Sequence, residues 1–199
     1  MGQNILTKVV FLDRDGTINH DSPDYIKGRS EFRIISGSIE AIRLLTLNGF
    51  TSIVITNQSA VARKFILPAE LGRIHALMKS TIKSGGGKIT DIFVCPHLPT
   101  DNCGCRKPAP GLIVQAQEKY DIDLGTAVMV GDSAKDIECA RNAGCGKSVL
   151  VKTGKDNQAE HILKTKRITP DYTAKNLYDA AEWILSSEKS TPTPPRSAP

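Results

Sequence analysis

Two groups of residues in this chain have the types and spacing to do chemistry. In LDRDGT, residues 12–17, Asp13 and Asp15 stand two positions apart just past an apolar run, and Gly16 permits a tight turn that brings the backbone close to a ligand. An isolated Asp-x-Asp is more often a solvated turn. Here a third carboxylate, Asp132, closes a second apolar run, AVMVGD at 127–132. Three carboxylates gathered in one place repel each other unless a cation joins them. Hard oxygen ligands suit Mg²⁺, which keeps its waters and engages substrate phosphate. The phosphate's remaining charge needs a basic group and a hydroxyl donor, and Lys107 with Thr56 provides them. Asp136 follows Asp132 by four residues on the same helical face; that spacing suits either a water-mediated link to the metal or an exposed acidic helix start favoured by the dipole.

The second group lies in CPHLPTDNCGCRKPAPG, residues 95–111, which holds three of the chain's five cysteines. Cys95, His97, Cys103 and Cys105 give C-x-H-x5-C-x-C, two close pairs on one short loop, and Zn²⁺ takes four such ligands in closed tetrahedral sites. A loop of Pro, Asp, Asn and Gly cannot build a core of its own. Zinc over residues 95–105 would rigidify it and fix Arg106 and Lys107, which follow at once. Cys139 and Cys145 sit among apolar residues and read as small buried hydrophobes.

These residues need a scaffold, and the chain has the pattern of one. Continuous apolar runs at 8–13, 51–56, 91–96, 127–132 and 148–153 predict strands buried on both faces of a parallel sheet. Helical periodicity falls between them, at 36–48, from Pro68 to the Gly85-Gly86-Gly87 stop, at 111–120 and at 134–143. Leu177, Ala181, Ile184 and Leu185 mark a closing helix. The alternation predicts an α/β doubly wound, mostly parallel sheet, and such sheets bind ligands at the carboxyl ends of their strands, where Asp13, Thr56, the Cys/His loop and Asp132 all fall.

With 199 residues and 40% hydrophobic content, one domain over 1–187 is expected, followed by a Pro- and Ser-rich disordered tail at 188–199. The net charge of +5 is scattered, with no basic-aromatic stripe for stacking bases, which argues against nucleic acid. The N-terminal apolar run is too short for a membrane span and lacks the marks of a signal peptide. A cytoplasmic protein with reduced thiols and no membrane partner is expected, acting as a monomer.

The four segments DRDGT, ITNQS, CRKPAPG and VGDSAKD resemble, in order, the four motifs of the haloacid dehalogenase (HAD) superfamily of phosphotransferases and phosphatases. The resemblance implies Asp13 as nucleophile and Asp15 as general acid, then base. It implies Mg²⁺ held by Asp13, Asp132 and the backbone carbonyl of Asp15, with Thr56 and Lys107 cradling the phosphoryl oxygens. Within the superfamily, the Cys/His loop together with TNQS.VAR, RKPxPG and VLVKTGK is similar to the D-glycero-D-manno-heptose 1,7-bisphosphate 7-phosphatase family, over nearly the whole chain to about residue 187. That likeness implies a small sugar bisphosphate substrate on the way to lipopolysaccharide or S-layer heptose. It implies a substrate site formed by Asn57, Gln58, Ser59 and Arg106, plus Asp21, Ser22 and Tyr25 from the HDSPDYI loop. A capless fold is expected because a helix fills the short span between DRDGT and ITNQS and leaves no room for a large cap domain. Ser133 stands where a Lys is common and Ala60 where a Gly is common.

Histidinol-phosphate phosphatase, with a very similar CPHLP...C-x-CRKP loop, is the nearest alternative; Ser59, Arg63 and Pro110-Gly111 argue against it. A DNA 3′-phosphatase would explain the basic charge and leave the Cys/His loop unexplained. A non-catalytic, zinc-stabilised phosphate-binding module would not need all four catalytic positions intact.

Overall fold

The computed structural model describes residues 8–155 and 158–189. Its six strands are β1 (Val9–Leu12), β2 (Thr51–Asn57), β3 (Ile89–Cys95), β4 (Val128–Gly131), β5 (Lys147–Val151) and β6 (Tyr172–Ala174). They form one sheet in the order β3-β2-β1-β4-β5-β6, with every pairing parallel. The helices are α1 (Ser38–Leu47), α2 (Pro68–Ser84), α3 (Gly111–Tyr120), α4 (Ala134–Ala143), α5 (Ala159–Thr165) and α6 (Leu177–Lys189). This is the doubly wound arrangement expected from the alternation of runs.

The period-two geometry of β1 divides the core. Val10 and Leu12 point into one layer with Ile42 and Leu45 of α1, Ile74 and Met78 of α2, and Ile184 of α6. Val9 and Phe11 point into the other, with Leu112, Ile113 and Ala116 of α3 and Met129 of β4. Both layers are apolar, so the strands read as continuous hydrophobic runs. The strand order reverses at β1, which pairs with β2 on one side and β4 on the other. At such a switch point the connections leave in opposite directions and open a crevice beyond the carboxyl ends.

The expected strands and helices 1 to 4 are all present, within a few residues at their ends; α3 and α4 coincide with their predicted spans. Two elements escaped the sequence reading, the three-residue β6 and the seven-residue α5. The closing helix runs through Lys189, two residues past the expected domain end. Residues 190–199, expected to be a disordered tail, lie outside the described residues. No helix among the described residues is long and apolar enough to cross a membrane.

Candidate active site

Asp13 leaves β1 directly, and its backbone N–H donates to the Val130 carbonyl at 2.9 Å, which ties the motif to β4. The turn that follows requires Gly16. Its φ is +82°, and a Cβ there would collide with the Asp132 carboxylate, so the glycine is what lets the β1 loop close on the end of β4. Thr153 braces the same turn, its Oγ1 donating to the Gly16 carbonyl at 2.6 Å.

Lys107 is buried, and its Nζ lies 2.7 Å from Asp13 Oδ1 and 2.5 Å from Asp136 Oδ1 while donating to the Ile55 carbonyl at 2.9 Å. Burial opposes the charge on Lys107, but the two carboxylates outweigh it and raise its pKa. Asp136 is fully buried, and its Oδ2 accepts from the Ser133 N–H at 3.0 Å and the Ser133 hydroxyl at 2.6 Å. It caps α4 and grips Lys107 from a fully buried position, so it is not the exposed helix start that its spacing also suited.

One oxygen each of Asp13, Asp132 and Asp136 lies within 4.8 Å of the others. Burial first, and then the neighbouring carboxylates against the pull of Lys107, push Asp13 up to about 7; burial and the charge of Asp13 push Asp132 up to about 9. Two carboxylates so strained against ionisation, Asp13 and Asp132, fit a divalent cation. Because both Asp136 oxygens are engaged, Asp13 and Asp132 are the carboxylates that would hold Mg²⁺.

Asp15 is different. Its Oδ1 and Oδ2 each accept from Arg14 Nη2 at 2.8 Å, Oδ1 also from Asn19 Nδ2 at 2.8 Å, and Oδ2 from Gln58 Nε2 at 2.7 Å. Burial works to raise its pKa, yet Arg14 and these hydrogen bonds overcome that and lower it. Gln58 Nε2 also donates to Thr56 Oγ1 at 2.8 Å, which leaves the Thr56 hydroxyl hydrogen free for a ligand oxygen.

The Cys/His loop begins where β3 ends. Cys95 Sγ lies 3.6 Å from both His97 Nδ1 and Cys103 Sγ; Cys105 Sγ lies 3.3 Å from His97 Nδ1 and 3.5 Å from Cys103 Sγ. A tetrahedron with Zn–S bonds of about 2.3 Å has edges of about 3.8 Å, so the four donors already outline a closed zinc site. Without a cation the thiols compete for protons. Desolvation and hydrogen bonds from its neighbours push Cys105 up to about 12, whereas at Cys103 hydrogen bonds from Cys105 and Cys95 outweigh desolvation and bring it down to about 7. Cys139 is buried and Cys145 half-buried, and both stay outside the cluster, as expected.

The loop delivers the two cations. Arg106 Nη1 donates to the His97 carbonyl at 3.0 Å. The Lys107 N–H donates to Asn57 Oδ1 at 3.1 Å, and Asn57 Nδ2 donates back to the Lys107 carbonyl at 3.2 Å. Asn57 therefore bolts the end of β2 to the loop, a task its reading as a substrate contact did not include.

Comparison with known proteins places the chain in a family. A HAD-hydrolase-like family model matches residues 104–180. The chain is 48% identical over 147 residues to the D-glycero-beta-D-manno-heptose-1,7-bisphosphate 7-phosphatase of Pseudomonas aeruginosa, covering 74% of this chain and 82% of that one. It is 40% identical over 180 residues to the enzyme of the same name from Neisseria meningitidis serogroup A, covering 89% and 95%. The crystal structure of the D,D-heptose 1,7-bisphosphate phosphatase from Bordetella bronchiseptica, complexed with magnesium and phosphate, superposes with a TM-score of 0.84 at 37% identity, over 90% of this chain and 99% of that one. The chain belongs to the heptose 1,7-bisphosphate 7-phosphatase family.

In this member of the family, one cavity of about 510 Å³ gathers every sequence-predicted phosphate and substrate residue: Asp13, Asp15, Thr56, Asn57, Gln58, Ser59, Arg106, Lys107 and Asp132, with Asp21, Ser22 and Tyr25 on the wall. Tyr25 adopts a positive φ of 62° and packs its ring 5.5 Å from that of Phe65, joining the HDSPDYI loop to the segment after β2. Asp21 Oδ1 accepts from the Ser22 N–H at 2.8 Å. Pro23, Ile26 and Ser133 also line it, and so do three cations that the sequence reading did not assign to the site: Arg14, Lys135 and Lys155. Lys135 had a signal, since a cation in the first turn of α4 opposes the helix dipole and invites another explanation.

Proposed function

We propose that this protein is a Mg²⁺-dependent phosphatase that removes the 7-phosphate of D-glycero-D-manno-heptose 1,7-bisphosphate through an aspartyl-phosphate. The observation that carries the reading is the meeting of Asp13, Asp15, Thr56, Lys107 and Asp132 in one cavity whose wall is braced by a zinc-type loop.

Asp13 attacks phosphorus in line; the bond from phosphorus to the sugar oxygen breaks, and its electron pair leaves on that oxygen. Asp15 delivers a proton to it, because an arriving phosphoryl dianion raises the proton affinity of its neighbour. Asp15 then takes a proton from water as the water oxygen attacks phosphorus and frees Asp13. Lys107 and the Thr56 hydroxyl stabilise the equatorial oxygens, and Asp136 keeps Lys107 in place. Asp13, Asp132 and the Asp15 carbonyl would hold Mg²⁺, which would supply charge neutralisation at the transferring group. Zn²⁺ on Cys95, His97, Cys103 and Cys105 has a structural part, since four protein ligands leave no open position.

A second phosphate on the substrate suits the remaining charges, for Arg106, Lys135 and Lys155 line the cavity beyond Lys107. We take the site to be open, with no separate cap domain, and the enzyme to act in the cytoplasm as a monomer on small molecules, with no nucleic acid or membrane partner. The test is the specificity constant for the heptose bisphosphate against that for histidinol phosphate at saturating Mg²⁺. One charge-assisted contact from Arg106 corresponds to about a ten- to hundredfold preference for the bisphosphate, reduced in Arg106→Ala. Equal constants, or undiminished discrimination by the variant, would overturn the assignment.

A further inference from the structure

Arg14 is a fully charged side chain that is 1% exposed, and its guanidinium has partners on both sides. Toward the cavity it clamps Asp15 through Nη2 to both carboxylate oxygens at 2.8 Å and through Nε to Oδ1 at 3.1 Å. Away from the cavity its Nη1 lies 3.1 Å from Nε2 of His75 on α2. Arginine has donors only, so Nε2 of His75 must be the acceptor and the ring proton sits on Nδ1. That state is available to it, since burial and then the Arg14 charge bring the His75 pKa down to about 4. His75 is absent from the residues that line the cavity. The other donors to Asp15, Asn19 and Gln58, hold one oxygen each, so the forked grip of Arg14 is the contact that fixes the plane of the carboxylate.

We propose that His75 and Arg14 are positioning residues that aim Asp15: His75 anchors Arg14 from helix α2, and Arg14 sets the orientation in which the Asp15 carboxyl meets the leaving oxygen. The inference rests on the reading of Asp15 as the general acid. A misaimed acid matters only where the leaving group needs a proton. A sugar alkoxide is a very poor leaving group and depends on Asp15, whereas p-nitrophenolate leaves without protonation. General acid catalysis contributes roughly a hundredfold or more to such steps, and misplacement by about 1 Å forfeits much of it. The constant kcat/KM covers events only through departure of the leaving group, so the later water attack does not enter the comparison.

The experiment compares wild type, His75→Leu and His75→Gln, all with Mg²⁺, on the heptose bisphosphate and on p-nitrophenyl phosphate. Leu fills the space without an acceptor, while the amide oxygen of Gln can accept from Arg14. The expected result for His75→Leu is a loss of about tenfold or more in kcat/KM for the sugar phosphate and under about threefold for the aryl phosphate, with His75→Gln recovering most of the sugar activity. Equal losses on the two substrates, no loss on the sugar phosphate, or a Gln variant as impaired as Leu would overturn the proposal. Thermal melting of each variant confirms that it is folded. If wild type hydrolyses alkyl phosphates but not the heptose bisphosphate, the substrate assignment fails by itself, and the comparison is judged on the best alkyl phosphate.

Discussion

Lys107 Nζ stands 2.7 Å from Asp13 Oδ1 and is held there by Asp136 on its other side. The ammonium is 3% exposed, and the two acids come from different elements, Asp13 from the end of β1 and Asp136 from the first turn of α4. This pairing joins the Cys/His loop to β1 before any ligand arrives. Replacing Lys107 by Met leaves two buried carboxylates facing each other. The expected cost is about 3 to 5 kcal/mol without metal, partly recovered by Mg²⁺, together with loss of turnover. Urea unfolding of wild type and variant with and without Mg²⁺ measures it; an unchanged midpoint would show that the pair is not coupled as described.

Asp13→Asn is expected to abolish turnover and leave the fold intact, because the amide is nearly isosteric but cannot act as an anionic nucleophile. In wild type, borohydride added during turnover should reduce the acyl phosphate and convert Asp13 to homoserine, seen by peptide mass spectrometry. Substantial activity in the variant, with deamidation excluded, would rule out the covalent route.

The Cys/His loop should bind one zinc per chain. Metal analysis is expected to find stoichiometric zinc in wild type and little in Cys103→Ser/Cys105→Ser. Because thiolate binding is part of the folding free energy, that variant should also melt lower. Its activity should fall through loss of order at Arg106 and Lys107. Full zinc occupancy in the double variant would contradict the ligand set.

His75 gives a pH effect whose sign can be worked out. Its folded pKa is brought down to about 4 from 6.5, so below pH 6.5 the unfolded chain binds the proton more readily. The stability it contributes is complete above pH 6.5 and is lost as pH falls toward 4, by up to about 3 kcal/mol. His75→Gln removes this titration. Between pH 7 and 4.5 the variant should therefore lose less unfolding free energy than wild type, as read by urea titration at each pH.

Much of this site was legible in the chain because its chemistry sits at the ends of apolar runs. Asp13 and Asp132 follow strands, and a parallel sheet with its order reversing at β1 brings those ends together. The gathering of Cys95, His97, Cys103 and Cys105 was legible from local spacing alone. What stayed hidden depends on where side chains point. Arg14 lies inside the DRDGT motif, yet nothing in its neighbours shows that it turns inward to meet His75 on α2. The exchange of hydrogen bonds between Asn57 and Lys107 and the grip of Asp136 on Lys107 likewise arise only when distant segments meet. Strand β6 has three residues, too few to show a period, and α5 has fewer than two full turns of pattern above its flanking loop.

The central claim concerns which phosphate is removed, and phosphorus NMR of the purified enzyme with Mg²⁺ and D-glycero-D-manno-heptose 1,7-bisphosphate follows it directly. The account predicts that the 7-phosphate resonance disappears as inorganic phosphate grows in equal amount, while the 1-phosphate resonance persists as the heptose 1-phosphate product. Release of the 1-phosphate, release of both at similar rates, or no release under conditions where histidinol phosphate is hydrolysed would contradict it.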